Sequence, residues 1–412
     1  MYLNLPRFLM SNVYLSKPGL ICAAGSSPES FWNSAVNGNQ SGIKKTVTHF
    51  GKKEFYKGQV DCTLLKKSDA RYDMHIIRME DFVLNQISVA VKKAVELFGK
   101  ERIGVCAGTC DNGSEFSVNG HEVFFKDGAF DSSYELEMQS AHYPAAFIKE
   151  KFRLEGPCLA FATACSSSAT AIIKAAQLIK SGICDAVIAG GVDVASDTVL
   201  LGFDSLEAVS HELTNPFSKN RSGITMGEAA AFFVLSKEPL DEEKILLKGY
   251  GESSDAYHMT SPDPSGKGAA KAMSLALENA ALSPEQIDYV NLHGTGTKHN
   301  DSMEAAAVDK VFGSYKVPCS TTKPLTGHTL GAAAALELSL CYEVIVQNKK
   351  NKARELPVQV WDGERDEAIA ELNFCDKKNP RGICCAPGEI HFCMSNSFAF
   401  GGSNACLIIG DA

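Results

Sequence analysis

The chain has 412 residues, too many for one ordinary domain, and its 45% hydrophobic and 22% charged residues exclude a disordered or fibrous protein. A formal net charge of −9 excludes wholesale nucleic-acid binding, because phosphate contacts need concentrated Lys and Arg; any basic docking patch must be local. The N-terminal stretch shows no basic leader or cleavage site and no run of 18 apolar residues occurs, so a soluble, unexported, cytoplasmic protein without a membrane span is expected.

Fourteen cysteines are many, yet none pair as CxxC and several stand singly in apolar runs (Cys106, Cys184, Cys393, Cys406), the pattern of reduced thiols. Cys110, Cys375 and the adjacent Cys384 and Cys385 lack the paired spacing and partners of a zinc site, so no metal is expected.

Along the chain, short apolar runs alternate with helical periodicity. RIGVCAGT (102–109), ATACSSSATAIIKAAQLIKSG (162–182), DAVIAGGVD (185–193) and EAAAFFVLSKE (228–238) read as β and α in turn, which predicts an α/β fold. The second half repeats the style with ILLKGYGESS (245–254), an amphipathic stretch over 270–282, IDYVNLHGTGT (287–297), a helix over 301–313, and the long run 317–346. The proline and charge cluster at Pro239–Lys244 marks the seam, dividing the chain into residues 1–243 and 244–412. Segments 107–145 and 350–390 have weaker periodicity and are expected to be insertions or loops over the sheet ends. The closing EIHFCMSNSFAFGGSNACLIIGDA reads as strand, Gly-containing loop, strand, and such a loop should line something.

Cys165 stands between a strand-like run (CLAFATA) and a small-residue helical run, so it opens a helix whose unpaired amides point at its sulfur. That placement is expected to lower the thiol pKa and to supply an oxyanion donor, although a cysteine among Ala and Ser also suits close helix packing. His293 follows an apolar run, among glycines and threonines that let backbone approach a ligand. His328 precedes a helix of small residues, with Lys323 five residues earlier. Each histidine alone also suits a hydrogen-bonded core position.

Together, ATACSSS, NLHGTGT, TKPLTGHTLGAA and NSFAFGGSN, in this order, resemble the β-ketoacyl-acyl carrier protein synthase family of the thiolase-like superfamily. SPESFWNSAVNGNQSGI, AGGVD and PFSKNRSGITMGEAAAFFVL extend the resemblance over almost the whole chain. It implies two duplicated halves in a five-layered α-β-α-β-α architecture. By position, Cys165 looks like the nucleophile that takes the acyl group, and His293 and His328 like the pair that assists decarboxylation of malonyl thioester. The implied reaction is a decarboxylating Claisen condensation in fatty acid or related polyene or polyketide biosynthesis. Neutral imidazoles suit it, because they can donate to a developing enolate that carboxylates would repel. Lys323 is similar to the family's buried lysine, Glu304 to its carboxylate partner, and Glu337 to a further glutamate of the network. Phe400 resembles a mobile phenylalanine beside the nucleophile, its amide and that of Cys165 forming the oxyanion hole. Thr295 and Thr297 match threonines that bind the phosphopantetheine arm. The resemblance implies an acyl carrier protein as partner, a homodimer or a heterodimer with a related synthase or chain-length factor, and no cofactor beyond the 4'-phosphopantetheine on the carrier. Lys66, Lys67, Arg71, Lys219 and Arg221 form a candidate carrier-docking set.

The chain departs from the family where PFD and RDGF become PFSKNRSGIT, at Ser218, Ser222 and Ile224, and Ile224 is expected to leave the site roomier. Asp111 falls where fatty-acid members place a glycine or isoleucine in the acyl pocket, and a carboxylate there disfavours a purely aliphatic chain. The wording of the motifs also resembles ketosynthases of aryl-polyene and other specialised pathways. A cysteine hydrolase does not account for two histidines and Lys323, a thiolase would carry a second cysteine where Phe400 stands, and a silent chain-length-factor-like partner would lack the nucleophile.

Overall fold

Five strands of the first half are β1 (Gly19–Cys22), β2 (Ile103–Gly108), β3 (Cys158–Phe161), β4 (Ala186–Asp193) and β5 (Ala229–Ser236), and they lie in the order β3-β2-β4-β5-β1. The second half supplies β6 (Ile245–Ser254), β7 (Tyr289–Asn291), β8 (Pro318–Ser320), β9 (Phe392–Phe398) and β10 (Ser403–Gly410), in the order β8-β7-β9-β10-β6. The two orders are the same permutation, and in each the first three strands run parallel and the last two pairings are antiparallel. The computed structural model describes residues 12–67, 70–111, 113–352, 354–376 and 389–411. A short strand, Tyr14–Leu15, pairs with both β5 and β6 and joins the halves into one mixed 12-stranded sheet.

Three layers of helix enclose the two half-sheets. His75–Gln86 and Ser88–Phe98 cover the outer face of the first, Lys267–Ala280 covers the outer face of the second with Lys298–Phe312 packed beside it, and Ser167–Lys180 and Ala333–Asn351 lie between them. Strands covered on both faces need no polar alternation, which is why β4 and β5 are buried at every residue. The central helices pack closely because their contact faces are small: Ala169, Ala171, Ala175 and Ala176 on one, Ala332 to Ala335 at the start of the other. The second, Leu330–Asn351, is long and apolar enough to cross a bilayer, but 89% of its most apolar window is buried inside the protein, and its core position accounts for its composition.

Each central helix is entered through a one-turn 3-10 segment whose first residue is left-handed, Ala164 at φ 52° and Leu330 at φ 53°. A non-glycine residue in that region costs roughly 1–2 kcal/mol, so the same strained turn is held by packing in both halves. The duplication puts Gly331 where the first half has Cys165. Gly108 and Gly191 bring β2 and β4 against the helix that follows Cys165: a Cβ on Gly108 would stand 2.5 Å from the Ser167 carbonyl carbon, and one on Gly191 2.9 Å from Ser168 Cβ.

Segment 107–145 is not simply loop. It contains the helix Ser114–Asp127, backed by an aromatic stack of Phe116 on Tyr134 (5.1 Å), Tyr134 on Phe130 (4.3 Å) and Phe130 on Phe124 (4.7 Å). These contacts join the helix to residues beyond its end, which a periodicity window does not register. Residues 354–376 are largely irregular, with a short strand at Asn373–Phe374. Residues 1–11 and 377–388, which include Cys384 and Cys385, lie outside the described residues.

Candidate active site

Cys165 sits in the turn Ala164–Ser166 with 4% of its surface exposed. Ser166 pins that turn by donating to the Thr163 carbonyl (2.8 Å), and its hydroxyl lies in hydrogen-bond contact with Ser403 Oγ (3.0 Å), which ties the nucleophile turn to the start of β10. The backbone amide of Phe400, in the Gly-containing loop between β9 and β10, hydrogen-bonds the sulfur. His328 Nε2 lies 3.0 Å from Cys165 Sγ. His328 is fixed by its own backbone, its amide donating to the Thr225 carbonyl (2.7 Å) and its carbonyl accepting from Gly227 (3.0 Å).

His293 follows β7 and faces His328 edge to face, with ring centroids 5.3 Å apart. Glu304, on the helix Lys298–Phe312, accepts the amides of His293 and Gly294 at 2.8 Å each. Lys323 Nζ donates to the His293 carbonyl at 2.9 Å and forms a buried ion pair with Glu337. Here the structure corrects the expected pairing: the carboxylate of Lys323 is Glu337, on the central helix, and Glu304 instead holds the histidine loop through backbone amides. Glu337 has 1% of its surface exposed, far from a surface ion pair.

Burial sets the electrostatics. It pushes the Cys165 thiol up to about 11, with the Phe400 amide and the Lys323 charge opposing it. The expected lowering of the thiol pKa is therefore reversed, because the whole group is desolvated while the helix-end amides and Lys323 compensate only in part. Both imidazoles are held well below the usual histidine range, by burial first and by Lys323 next. The resting site is thus a neutral thiol beside two neutral imidazoles. Glu304 is pushed up to about 7 by burial, against the two amides it accepts. Donor atoms of Cys165, His293 and His328 all lie within 4.8 Å of one another, the one such group among the described residues compact enough for a metal ion.

Two cavities meet at Phe400. One, of about 500 Å³, is lined by Arg221, Asp255, Thr297, Asn300 and the Phe398–Phe400 loop; the other, of about 580 Å³, by Cys110, Asp111, Cys165, Phe203, Leu330 and Phe400. The Phe400 ring stacks on Phe203 at 5.4 Å and stands between the two. Thr297 lines the first cavity while capping the helix Lys298–Phe312, and its Oγ1 is 3.3 Å from that of buried Thr295.

Asp111 lines the second cavity, as its position implied. Ile224 does not: it packs with Phe55, Val209, Met226 and Leu330 in an apolar cluster, since an isoleucine beside that cluster gains more from burial than from facing a cavity. Arg221 is likewise no docking cation, being 5% exposed and held by Asp366 (2.6 Å), the Ser218 carbonyl (2.8 Å) and Ser302 (3.0 Å). Lys66, Lys67, Arg71 and Lys219 are exposed, with Arg71 3.6 Å from Glu150 and Lys219 2.6 Å from Glu364.

One residue carried no assigned role in the sequence. Asp193, at the end of β4, accepts from Thr109 Oγ1 and the amides of Cys110, Asp111 and Gly331 at 2.6–2.9 Å. It locks the cavity loop to the entry turn of the second central helix. The only signal was its place at the end of a buried strand.

The chain matches the β-ketoacyl synthase N-terminal domain over residues 19–240 and the β-ketoacyl synthase C-terminal domain over residues 245–350. It is 30% identical to 3-oxoacyl-[acyl-carrier-protein] synthase 2 of Coxiella burnetii, over 96% of this chain and 98% of that one. The synthase 2 of Vibrio cholerae is also 30% identical, over 96% and 98% of the two chains. Among solved structures, a chain of the ketosynthase ApeO in complex with its chain length factor ApeC from Xenorhabdus doucetiae superposes with a TM-score of 0.88 at 37% identity, covering 100% of both.

Proposed function

The chain belongs to the β-ketoacyl synthase family and is a condensing acyltransferase, and on that premise we propose how its residues divide the work. Cys165 attacks the thioester carbonyl of an acyl group delivered on a carrier protein; a carbon–sulfur bond forms to Cys165, the carrier's thiolate leaves, and the proton of Cys165 passes through His328 Nε2 to that thiol. The amides of Cys165 and Phe400 hold the oxyanion. In the second stage, His293 and His328 donate hydrogen bonds to the malonyl thioester carbonyl, carbon dioxide departs, and the enolate carbon attacks the acyl-cysteine carbonyl. A bond forms between the two carbons, and the Cys165 sulfur leaves as thiolate.

The observation that carries this reading is the buried cluster of one thiol and two neutral imidazoles at the junction of two cavities. A neutral imidazole can take a thiol proton or donate to an enolate, whereas a charged one can do only the latter. Thr297 lines the first cavity, with buried Thr295 behind it at 3.3 Å, and a hydroxyl there suits the slim, polar 4'-phosphopantetheine arm. We read the cluster as a proton-handling set and not a metal centre, because Lys323 places positive charge beside it. The reading needs no cofactor beyond the arm on the carrier.

A dimer, homomeric or with a related synthase or chain-length factor, follows from β3. Among the described residues it is an edge strand paired to β2 alone, and Leu159 on it is 40% exposed, so its free edge calls for a partner strand. Lys66, Lys67, Arg71 and Lys219 are the exposed cations offered to an acidic carrier protein. Cys22, Cys106, Cys165, Cys184 and Cys406, among the described residues, are free thiols, which suits work in a reducing cytoplasm.

The test is intact mass after mixing the protein with acyl-carrier protein thioesters of varied chain. An acyl adduct absent from Cys165→Ala is expected. No adduct with any carrier would remove the nucleophile assignment and favour a silent partner.

A further inference from the structure

Within the cavity beside Cys165, the lining is apolar at Ala162, Val199, Phe203, Leu206 and Leu330, but one wall carries Asp111. That side chain is 6% exposed, and its Oδ2 is buried with no hydrogen-bond partner. It is also held in place. The Asp111 amide donates to Asp193 Oδ1 at 2.7 Å, and the hydroxyls of Ser114 and Ser196, 2.8 Å from each other, hydrogen-bond its carboxyl group. A flexible carboxylate could turn toward solvent; this one is anchored at backbone and side chain, so its free oxygen stays where it is.

Leaving a buried oxygen unpaired is unfavourable, and covering it with hydrocarbon leaves that cost in place. A ligand that brings an O–H to it removes the cost. Resting on the acyl-cysteine reading above, we propose that the cavity selects acyl chains bearing a hydroxyl, which donates to the incompletely satisfied Asp111 carboxyl group, and that Asp111 is the specificity-determining residue. Burial also pushes the Asp111 carboxyl up, with Ser114 and Ser196 opposing, so the site favours a neutral donor over a cation. Thr198 lines both this cavity and a neighbouring one of about 500 Å³ that is also lined by Ser196.

The experiment measures loading of Cys165, by intact mass against time, with saturated acyl-carrier protein thioesters and their hydroxylated counterparts of equal length. The hydroxyl is moved one carbon at a time along the chain. A site built to hydrogen-bond a hydroxyl discriminates strongly against the analogue lacking it, so a preference of about tenfold or more is expected at the position that reaches Asp111. Asp111→Leu should abolish or invert that preference while still loading the saturated chain. Asp111→Asn, nearly isosteric, should retain part of it and guards against a folding defect. Equal loading of both series by the wild type, or an unchanged preference in Asp111→Leu, overturns the proposal while leaving the nucleophile in place. Failure to load either series defeats the acyl-cysteine reading on which it rests.

Discussion

His328 Nε2 stands 3.0 Å from Cys165 Sγ, whereas His293 packs edge to face with His328, centroids 5.3 Å apart, and brings a ring nitrogen only to within 4.8 Å of the sulfur. The two histidines are therefore not equivalent: His328 is within reach of the nucleophile's proton, and under the proposed mechanism His293 serves the malonyl carbonyl alone.

Replacing them should separate the two half-reactions. His293→Ala is expected to keep acylation of Cys165 and to lower decarboxylation by about 10²–10³-fold, the usual loss for one oxyanion donor. His328→Ala should slow both steps, each by about 10²-fold or more. Intact mass reads the first step and release of carbon dioxide from malonyl-carrier protein the second. Equal effects of the two variants on both steps would contradict the division.

The low imidazole pKa values predict a pH profile. Because both histidines are held well below their ordinary value near 6.5, they stay neutral as the pH falls through that value, and decarboxylation should remain flat from about pH 6.5 to 8. Lys323 lowers both, so in Lys323→Met they gain protons at higher pH and the acid limb moves up toward about 6.5. A limb that stays put would show that burial alone sets their charge.

Stability should respond to the buried pair asymmetrically. Glu337→Gln leaves the Lys323 ammonium uncompensated at 1% exposure and is expected to cost about 3–5 kcal/mol. The double variant Lys323→Met with Glu337→Leu should recover most of that, since apolar replacements of a buried pair are often neutral, yet it should not recover decarboxylation. Urea denaturation at fixed protein concentration measures both, and a cost below about 1 kcal/mol for Glu337→Gln would count against a charged pair.

Glu304 acts through the backbone it holds. Glu304→Ala frees the amides of His293 and Gly294, and an ångström of drift in the histidine is enough for a loss of about 10²-fold in decarboxylation. Acylation of Cys165 should persist, because the nucleophile turn is tied to Ser403 and not to Glu304. Loss of both steps together would indicate general unfolding, visible as a fall in Tm.

Much of this was legible in the sequence because it is local. The α/β alternation, the similar style of the two halves, and a thiol at a helix start are all carried by residues next to one another, whereas the duplicated strand order came from the tertiary structure. The helix Ser114–Asp127 was not, since its support comes from Phe130 and Tyr134 beyond its end.

By itself the sequence marked which side chains were candidates for the chemistry: Cys165, His293, His328, Lys323 and Phe400 stand in four ordered motifs that together resemble one family, although each residue alone suited a structural place as well. Only the tertiary structure decided how they are paired and charged. Lys323 meets Glu337 and not Glu304, Arg221 turns inward to Asp366, Asp193 clamps the cavity loop, and the Cys165 thiol is raised instead of lowered. The reason is physical: partners on separate elements are chosen by packing, and a pKa is set by how much water the packing removes, neither of which is written in spacing along the chain.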